Sequence, residues 1–295
     1  MDVELRQLRC FVAVVEEGSF TDAGISLGIS QTAVSRNLAA LEEHLGARLI
    51  QRTTRSVSLT EAGERALPHA RRVLAAVVGL EGAAQGGGRL RLGYAWSALG
   101  RHTLELQRRW AAECPETELE LVMENSPTAG LLEGASDLAI LRRKPSARRV
   151  ELQQVGEEKR YCAMAADDPL AGKRSVGLAQ IADRPLAVDV RTGSTTLDLW
   201  PPGAAPAKTV EIHSVDDWLT LIAAGKARGV TAEATAHQYR RRGLVYRPVR
   251  DAPPVPVHAA WIKGELAPAG QKLIALLAEL YRSGDEHRER HRGDG

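Results

Sequence analysis

Residues 27–55, LGISQTAVSRNLAALEEHLGARLIQRTTR, constrain the fold of this chain more than any other stretch. Gly28 supplies the left-handed conformation that a tight turn requires, and Ser30 can cap a helix behind it. Val34, Leu38, Leu41 and Leu45 then recur every three or four residues, which predicts a helix to about Leu45 with one apolar stripe. Gly46 stops it. Residues 48–51 and 57–59 read as two short strands around Arg52-Thr53-Thr54-Arg55. Gln31, Thr32, Ser35 and Arg36 fall opposite the apolar stripe on the first turns of the helix. These are short or forked hydrogen-bonding groups: Gln can pair bidentately with adenine and Arg with guanine. The arginines at 48, 52 and 55, with no acid among them, suit a hairpin lying on a phosphate backbone. Taken singly, these features also fit a solvated helix face and an ordinary exposed hairpin.

The preceding residues favour the first reading. Leu5, Leu8, Phe11, Val12 and Val15 predict an amphipathic helix over 5–17, ended by Gly18. Ser19-Phe20-Thr21-Asp22 has the form of a capping box opening a second helix, which ends at Gly28. Three helices at this spacing followed by a hairpin make a winged helix-turn-helix whose third helix enters the major groove. Bulk charge adds nothing to this. The whole chain carries 39 Lys+Arg against 37 Asp+Glu, and residues 1–75 hold nine of each sign. Interaction with DNA therefore rests on where the arginines sit.

Thr60 can cap a long helix running to about Ala84. Ala62, Ala66, Ala70, Val73, Val77 and Leu80 form a stripe that can pair with a second copy or pack on its own domain. Pro68 is expected to kink this helix or start a new segment. Gln85-Gly86-Gly87-Gly88 reads as a hinge, not a phosphate loop, because no Lys-Ser/Thr follows. From Arg89 the pattern alternates. Strands are expected at 90–94, 119–123, 137–141, 161–165, 187–190, 229–231, 244–249 and 257–262. Helices are expected at 100–114, 128–134, 215–224 and 273–281. This βαβ pattern predicts a mostly parallel sheet. The tail after Ser283 is Gly, His and charge, which predicts disorder. The chain's 295 residues suffice for two or three domains. No apolar run is long enough to span a bilayer and the first residues are acidic, so the expected location is cytoplasmic, with no membrane partner. Cys10, Cys114 and Cys162 have neither disulfide-framework nor zinc-ligand spacing. His287 and His291, at i,i+4 spacing, lie in that charged tail and suggest no metal site.

The first sixty residues resemble the LysR-type transcriptional regulators closely. The segments that carry the resemblance are LRQLRCFVAVVEEGSFTDAG, ISQTAVSRNLAALEEHLGARLIQRTTR and SLTEAGERALPHARRVL. Further along, GRLRLGYAWSALG, SDLAILR, DDPLAG, RTGSTTLDLW and DDWLTLIAAGKARGVT are similar to that family's effector domain, as in a subgroup common in high-GC bacteria. The resemblance implies an α plus α/β fold: winged helix-turn-helix (1–59), linker helix and hinge (60–88), effector subdomain I (89–158, with 258–283 returning to it), effector subdomain II (159–257) and a tail (284–295). The two effector subdomains, joined by two crossing strands, resemble a periplasmic binding protein and hold a small molecule between them.

The resemblance also implies assembly as a homodimer or homotetramer on promoter DNA, with RNA polymerase as a further candidate partner and no cofactor. The family's DNA-contacting positions fall on Gln31, Thr32, Ser35, Arg36, Arg52 and Arg55. Its effector positions fall on Trp96, Ser97, Thr128, Arg142, Thr192, Gly193, Ser194 and Thr231. A carboxylate is one candidate effector, with Arg142 as its counterion and Trp96 as a stacking surface. The alternatives for these two residues are an ion pair for Arg142 and a core position for Trp96. Gly24 stands where alanine is usual, at a cost to its helix of about 1 kcal/mol.

Two other functions compete with this one. An enzyme on the α/β lobes would need partners such as Ser194 and His213 with Asp216, but no GxSxG, P-loop or HExxH is present. A thiol sensor would use Cys162, which follows Lys159 and Arg160, or Cys114.

Overall fold

The computed structural model describes the backbone of residues 3–52, 57–84 and 88–290, and their side chains except at 52, 82, 83 and 284–290. The chain divides into two compact units, one of residues 1–89 with 132–135 and one of residues 90–131 with 136–295.

In the first unit, α1 (Leu5–Glu17), α2 (Phe20–Leu27) and α3 (Gln31–Leu45) end at Gly18, Gly28 and Gly46, each in the left-handed conformation. Ser19 accepts from the Asp22 amide and Ser30 from the Ala33 amide, so both caps form as their sequences predict. Strands β1 (Ile50–Arg52) and β2 (Val57–Leu59) pair antiparallel as the wing. Helix α4 (Glu61–Ala84) begins behind Thr60, whose hydroxyl accepts from the Gly63 amide and donates to the Arg48 carbonyl. Pro68 lies inside α4 without dividing it. Phe11, Val14, Ala23, Val34, Leu38 and Leu41 close the core, joined by Leu67 and Ala70 of α4. Gly24 has a local reason to be glycine. A Cβ there would stand 2.8 Å from the Ile29 carbonyl oxygen, so its absence lets the turn before α3 fold onto α2. Of the expected hinge at 85–88, Gly88 begins a strand and residues 85–87 lie outside the described residues.

The second unit has two lobes. Lobe I holds β3 (Gly88–Tyr94), α5 (Thr103–Glu113), β4 (Thr117–Met123), β5 (Leu138–Leu141) and β6 (Val150–Glu158). Lobe II holds β7 (Arg160–Ala165), α6 (Leu178–Ile181), β8 (Leu186–Val188), β9 (Thr209–Glu211), α7 (Val215–Ala223), β10 (Gly229–Ala232), α8 (Glu233–Gln238) and β11 (Leu244–Pro248). The chain then returns to lobe I as β12 (Val255–Ile262) and α9 (Pro268–Arg290). It crosses between the lobes at Lys159 and again after Pro248, and the Val249 amide donates to the Arg160 carbonyl to tie the crossings together.

The lobe I sheet has the order β4-β3-β5-β12-β6. In lobe II, β10-β7-β11 meets the β8-β9 pair through the bridge between Leu186 and Arg228. The sheets are mixed, which corrects the expectation of mostly parallel strands. β3 with β5 and β8 with β9 are parallel, whereas β12 and β7 run antiparallel to their neighbours. β7 and β12 are the strands by which the chain enters each lobe from the other, and each runs against the strands it pairs with.

Two further expectations change. Residues 128–134 form turns, not a helix: Ala129, Gly130 and Gly134 have positive φ, which breaks helical hydrogen bonding. The last helix continues to Arg290, past the point where disorder is expected; residues 291–295 lie outside the described residues. Among the described residues, no helix is long and apolar enough to cross a membrane.

Candidate functional site

The face of α3 opposite its buried stripe is open. Gln31, Thr32 and Arg36 are exposed and Ser35 is half-buried, while Val34, Leu38 and Leu41 point into the core. Neither the Gln31 amide nor the Arg36 guanidinium has a side-chain partner among the described residues, so both forks remain available. Of the wing residues, the side chain of Arg52 and the whole of Arg55 lie outside the described residues.

A residue that sequence reading passed over holds the wing to this helix. Glu42 is buried, and its Oε1 accepts from the amides of Leu49 (2.8 Å) and Ile50 (3.1 Å). Its signal was legible, since it sits four residues after Leu38 on the buried stripe, where a carboxylate needs partners.

The second candidate site is a cleft between the lobes with about 400 Å³ of free volume. Trp96, Ser97, Arg142, Thr192, Gly193, Ser194 and Thr231 all line it. They come from the ends of β3, β5, β8 and β10, where open α/β sheets place ligands. Thr128 does not. It is buried in the 126–131 turn, and its neighbours Ser126 and Pro127 reach the cleft instead. The positive φ values at 129 and 130 turn the chain away from the geometry a helix would have given Thr128.

Contacts span the cleft. Trp96 Nε1, on lobe I, donates to Asp189 Oδ2 (3.0 Å) and Thr192 Oγ1 (2.9 Å) on lobe II. Thr192 Oγ1 also lies 2.8 Å from Asn125 Oδ1, and Asn125 Nδ2 donates to the His213 carbonyl at 2.9 Å. Arg143 donates to the Val190 carbonyl. The Trp96 ring meets Trp218 edge-on with centroids 5.5 Å apart. Burial alone would raise the Asp189 carboxyl, but the Arg191 and Thr192 amides together with Trp96 and the Thr192 hydroxyl hold it below its ordinary range. Sequence reading missed Asp189. Its two amide contacts at i+2 and i+3 form an Asx-type turn that the run Asp189-Val190-Arg191-Thr192 could have signalled.

Arg142 is committed elsewhere, which corrects its expected role as a carboxylate counterion. Its guanidinium donates to Glu158 through Nε (3.0 Å) and Nη2 (2.8 Å), and to the carbonyls of Ser97 (2.7 Å) and Ala98 (2.6 Å). Glu158 also accepts from Tyr281 Oη (2.7 Å) and the Ala234 amide (3.1 Å). Burial would raise the Glu158 carboxyl, yet these donors hold it below the usual carboxylate range. The cluster therefore joins β5, β6 and α9 of lobe I to α8 of lobe II. The Ser97 hydroxyl is likewise engaged, 3.1 Å from Thr235 Oγ1. Ser194 and Thr231 keep hydroxyls without a protein partner among the described residues. Among the described residues no side-chain hydrogen bond joins His213 to Asp216 or to Ser194.

All three cysteines are buried. Burial pushes the Cys162 thiol up to about 12 and raises that of Cys10.

Residues 5–64 match the model described as bacterial regulatory helix-turn-helix protein, lysR family, and residues 83–282 match the LysR substrate binding domain. The transcriptional regulator ShiR of Corynebacterium glutamicum is 30% identical, over 95% of this chain and 100% of that protein. The uncharacterized regulator YnfL of Escherichia coli is 38% identical over 63% of this chain and 65% of its own length, so that match spans slightly less than two thirds of YnfL. A probable hydrogen peroxide-inducible genes activator of Mycobacterium xenopi is 37% identical over 58% of this chain and 95% of that sequence. The solved structure of full-length CbnR complexed with its target DNA has the same fold, with a TM-score of 0.67 at 23% identity, over 95% of this chain and 99% of that one. The chain belongs to the LysR family of DNA-binding transcriptional regulators, with an N-terminal helix-turn-helix domain and a C-terminal effector-binding domain.

Proposed function

We propose that this regulator reads promoter DNA with Gln31, Thr32, Ser35 and Arg36, braced by Arg52 and Arg55 of the wing, and that a small molecule in the interlobe cleft changes its grip on that DNA. The observation that carries the proposal is the cleft, with about 400 Å³ of room, indole and hydroxyl groups on its walls, and walls that belong to both lobes. A ligand that fits one spacing of the lobes better than another shifts their equilibrium by its difference in affinity. The effector is a small acid with an apolar body. Arg143 and Lys144 line the cleft as cations, Ser194 and Thr231 offer hydroxyls, and Trp96 with Trp218 supplies an apolar wall. Arg142, neutralised by Glu158, orders the lobes instead of binding the acid.

The protein works as a homodimer or homotetramer in the cytoplasm, with α4 as the pairing element and RNA polymerase as its downstream contact. Val73, Val78 and Leu80 are exposed along α4, consistent with a partner helix. It is not an enzyme, and it senses a ligand in preference to peroxide, because its three cysteines are buried and burial raises the thiols of Cys162 and Cys10.

The test is a thermal-shift screen of small aromatic and aliphatic acids on the wild type and on Ser194→Ala/Thr231→Val, followed by footprinting with each hit. A hit should stabilise the wild type by about 2.7 kcal/mol at a hundred times its Kd and should lose this in the double variant. Hits that stabilise both proteins equally would place the effector elsewhere.

A further inference from the structure

We propose that lobe II carries a second ligand site, for a small polyanion of the phosphorylated or polycarboxylate class, between the end of α8 and β11. A cavity of about 390 Å³ opens there, nearly the size of the interlobe cleft. Arg240 and Arg241 stand exposed at its mouth, Arg247 is half-buried on its wall, and Tyr161, His237 and Tyr246 line it beside apolar side chains.

The charge balance separates this place from the rest of the unit. Three covered guanidiniums of the unit are met by carboxylates, Arg91 by Asp137 at 2.7 Å, Arg142 by Glu158 at 2.8 Å and Arg228 by Asp168 at 2.9 Å, while Arg160 stands singly and donates to the carbonyls of Pro253 and Ser194. No ion pair reaches Arg240, Arg241, Arg242 or Arg247 among the described residues. Arg247 donates only to carbonyls, those of Ala171 (Nε, 2.9 Å) and Tyr246 (Nη1, 3.1 Å) among them, and Arg241 only to the Thr220 hydroxyl at 3.3 Å. Glu233 stands 3.9 Å from His237 on the rim and does not reach these arginines. Guanidiniums gathered without counterions repel one another, and an anion with several charged oxygens relieves that repulsion while accepting paired N–H donors.

Shape decides between a small anion and a nucleic acid. A phosphate backbone passing over the surface would meet Arg240, Arg241 and Arg242 but not the half-buried Arg247. A small anion inside the cavity meets Arg247 as well.

The test is isothermal titration of the full-length protein with inorganic pyrophosphate and with citrate at fixed ionic strength. Binding is expected, weakened about tenfold or more by Arg240→Ala/Arg241→Ala and, separately, by Arg247→Gln, since each removes charged hydrogen bonds. The stronger of the two probes identifies the phosphorylated or the polycarboxylate class. Arg241→Lys, which keeps the charge, guards against loss of fold and should retain more binding than the alanine. No binding by the wild type at millimolar probe overturns the proposal, as does binding that the double variant leaves unchanged. Sensitivity to the double variant but not to Arg247→Gln, together with a matching loss of affinity for duplex DNA, makes the patch a phosphate-backbone contact and also overturns it.

Discussion

The Trp96 indole donates to the Asp189 carboxylate at 3.0 Å across the cleft, although the two residues are 93 positions apart in sequence. The bond joins the lobes at the place where a ligand would enter. Because Asp189 is held below its ordinary range, the stability it contributes is full above about pH 4 and is lost as the pH falls through its lowered folded value. Asp189→Asn should therefore destabilise the effector domain by about 1–2 kcal/mol at neutral pH. The gap from wild type should close in acid, and the Trp96 environment should change in the fluorescence spectrum. Parallel stability–pH curves for the two proteins would show that the carboxylate has no such role.

Arg142 and Glu158 make the other interlobe anchor. Glu158 is buried and the Arg142 side chain is only 10% exposed, so removing one leaves the other charged and unpaired. Arg142→Ala should cost about 3–5 kcal/mol in chemical denaturation. Arg142→Met/Glu158→Leu should recover only part of that loss, because it removes the unpaired charge but leaves Tyr281 Oη and the Ala234 amide without their acceptor. Equal stabilities for the single and double variants would contradict this account.

The helix-turn-helix was legible because its determinants are local. Caps, glycine stops and apolar periodicity act within a few residues, and α1, α2 and α3 follow them. The cleft was legible as an address, since strand ends face it, but not as a chemistry. Arg142 looked available because Glu158, 16 residues away, and the carbonyls of Ser97 and Ala98, 45 and 44 residues away, become its partners only on folding. Thr128 lies off the cleft for a more local reason: three residues of positive φ at 129, 130 and 134 replace the short helical piece expected over 128–134. Likewise, no periodicity reports that β12 returns from lobe II to pair with β5 and β6.

Glu42 should behave as the clamp between recognition helix and wing. Glu42→Ala leaves the buried amides of Leu49 and Ile50 without their acceptor, at a cost of about 2 kcal/mol or more. Glu42→Gln keeps an acceptor oxygen and should lose less. Operator affinity should fall in the same order, and a Glu42→Ala protein with wild-type melting and affinity would remove the residue from this role.

Gln31 and Arg36 should govern base preference. Replacing either by alanine removes a forked donor from an exposed helix face and should relax discrimination by about 1–3 kcal/mol at one position of each half-site. Selection of bound sequences from a randomised operator measures this directly. A double variant that selects the wild-type sequence would move the reading surface off α3.

Relatives named as peroxide-inducible activators make the thiols worth testing on their own. Cys162 lies in β7, fully covered, with its thiol pushed up to about 12 by burial. Burial therefore keeps this group a thiol at neutral pH, and peroxide attacks the thiolate. The charge of Arg228 draws the thiol down, but burial outweighs it. Native protein should therefore label at Cys162 only as fast as the lobe opens, with labelling accelerated by denaturant and hardly by rising pH between 7 and 9. Operator affinity should be the same before and after peroxide. Rapid labelling of the folded protein, together with a peroxide-dependent footprint abolished by Cys162→Ala, would establish a thiol switch and displace the ligand-sensing reading.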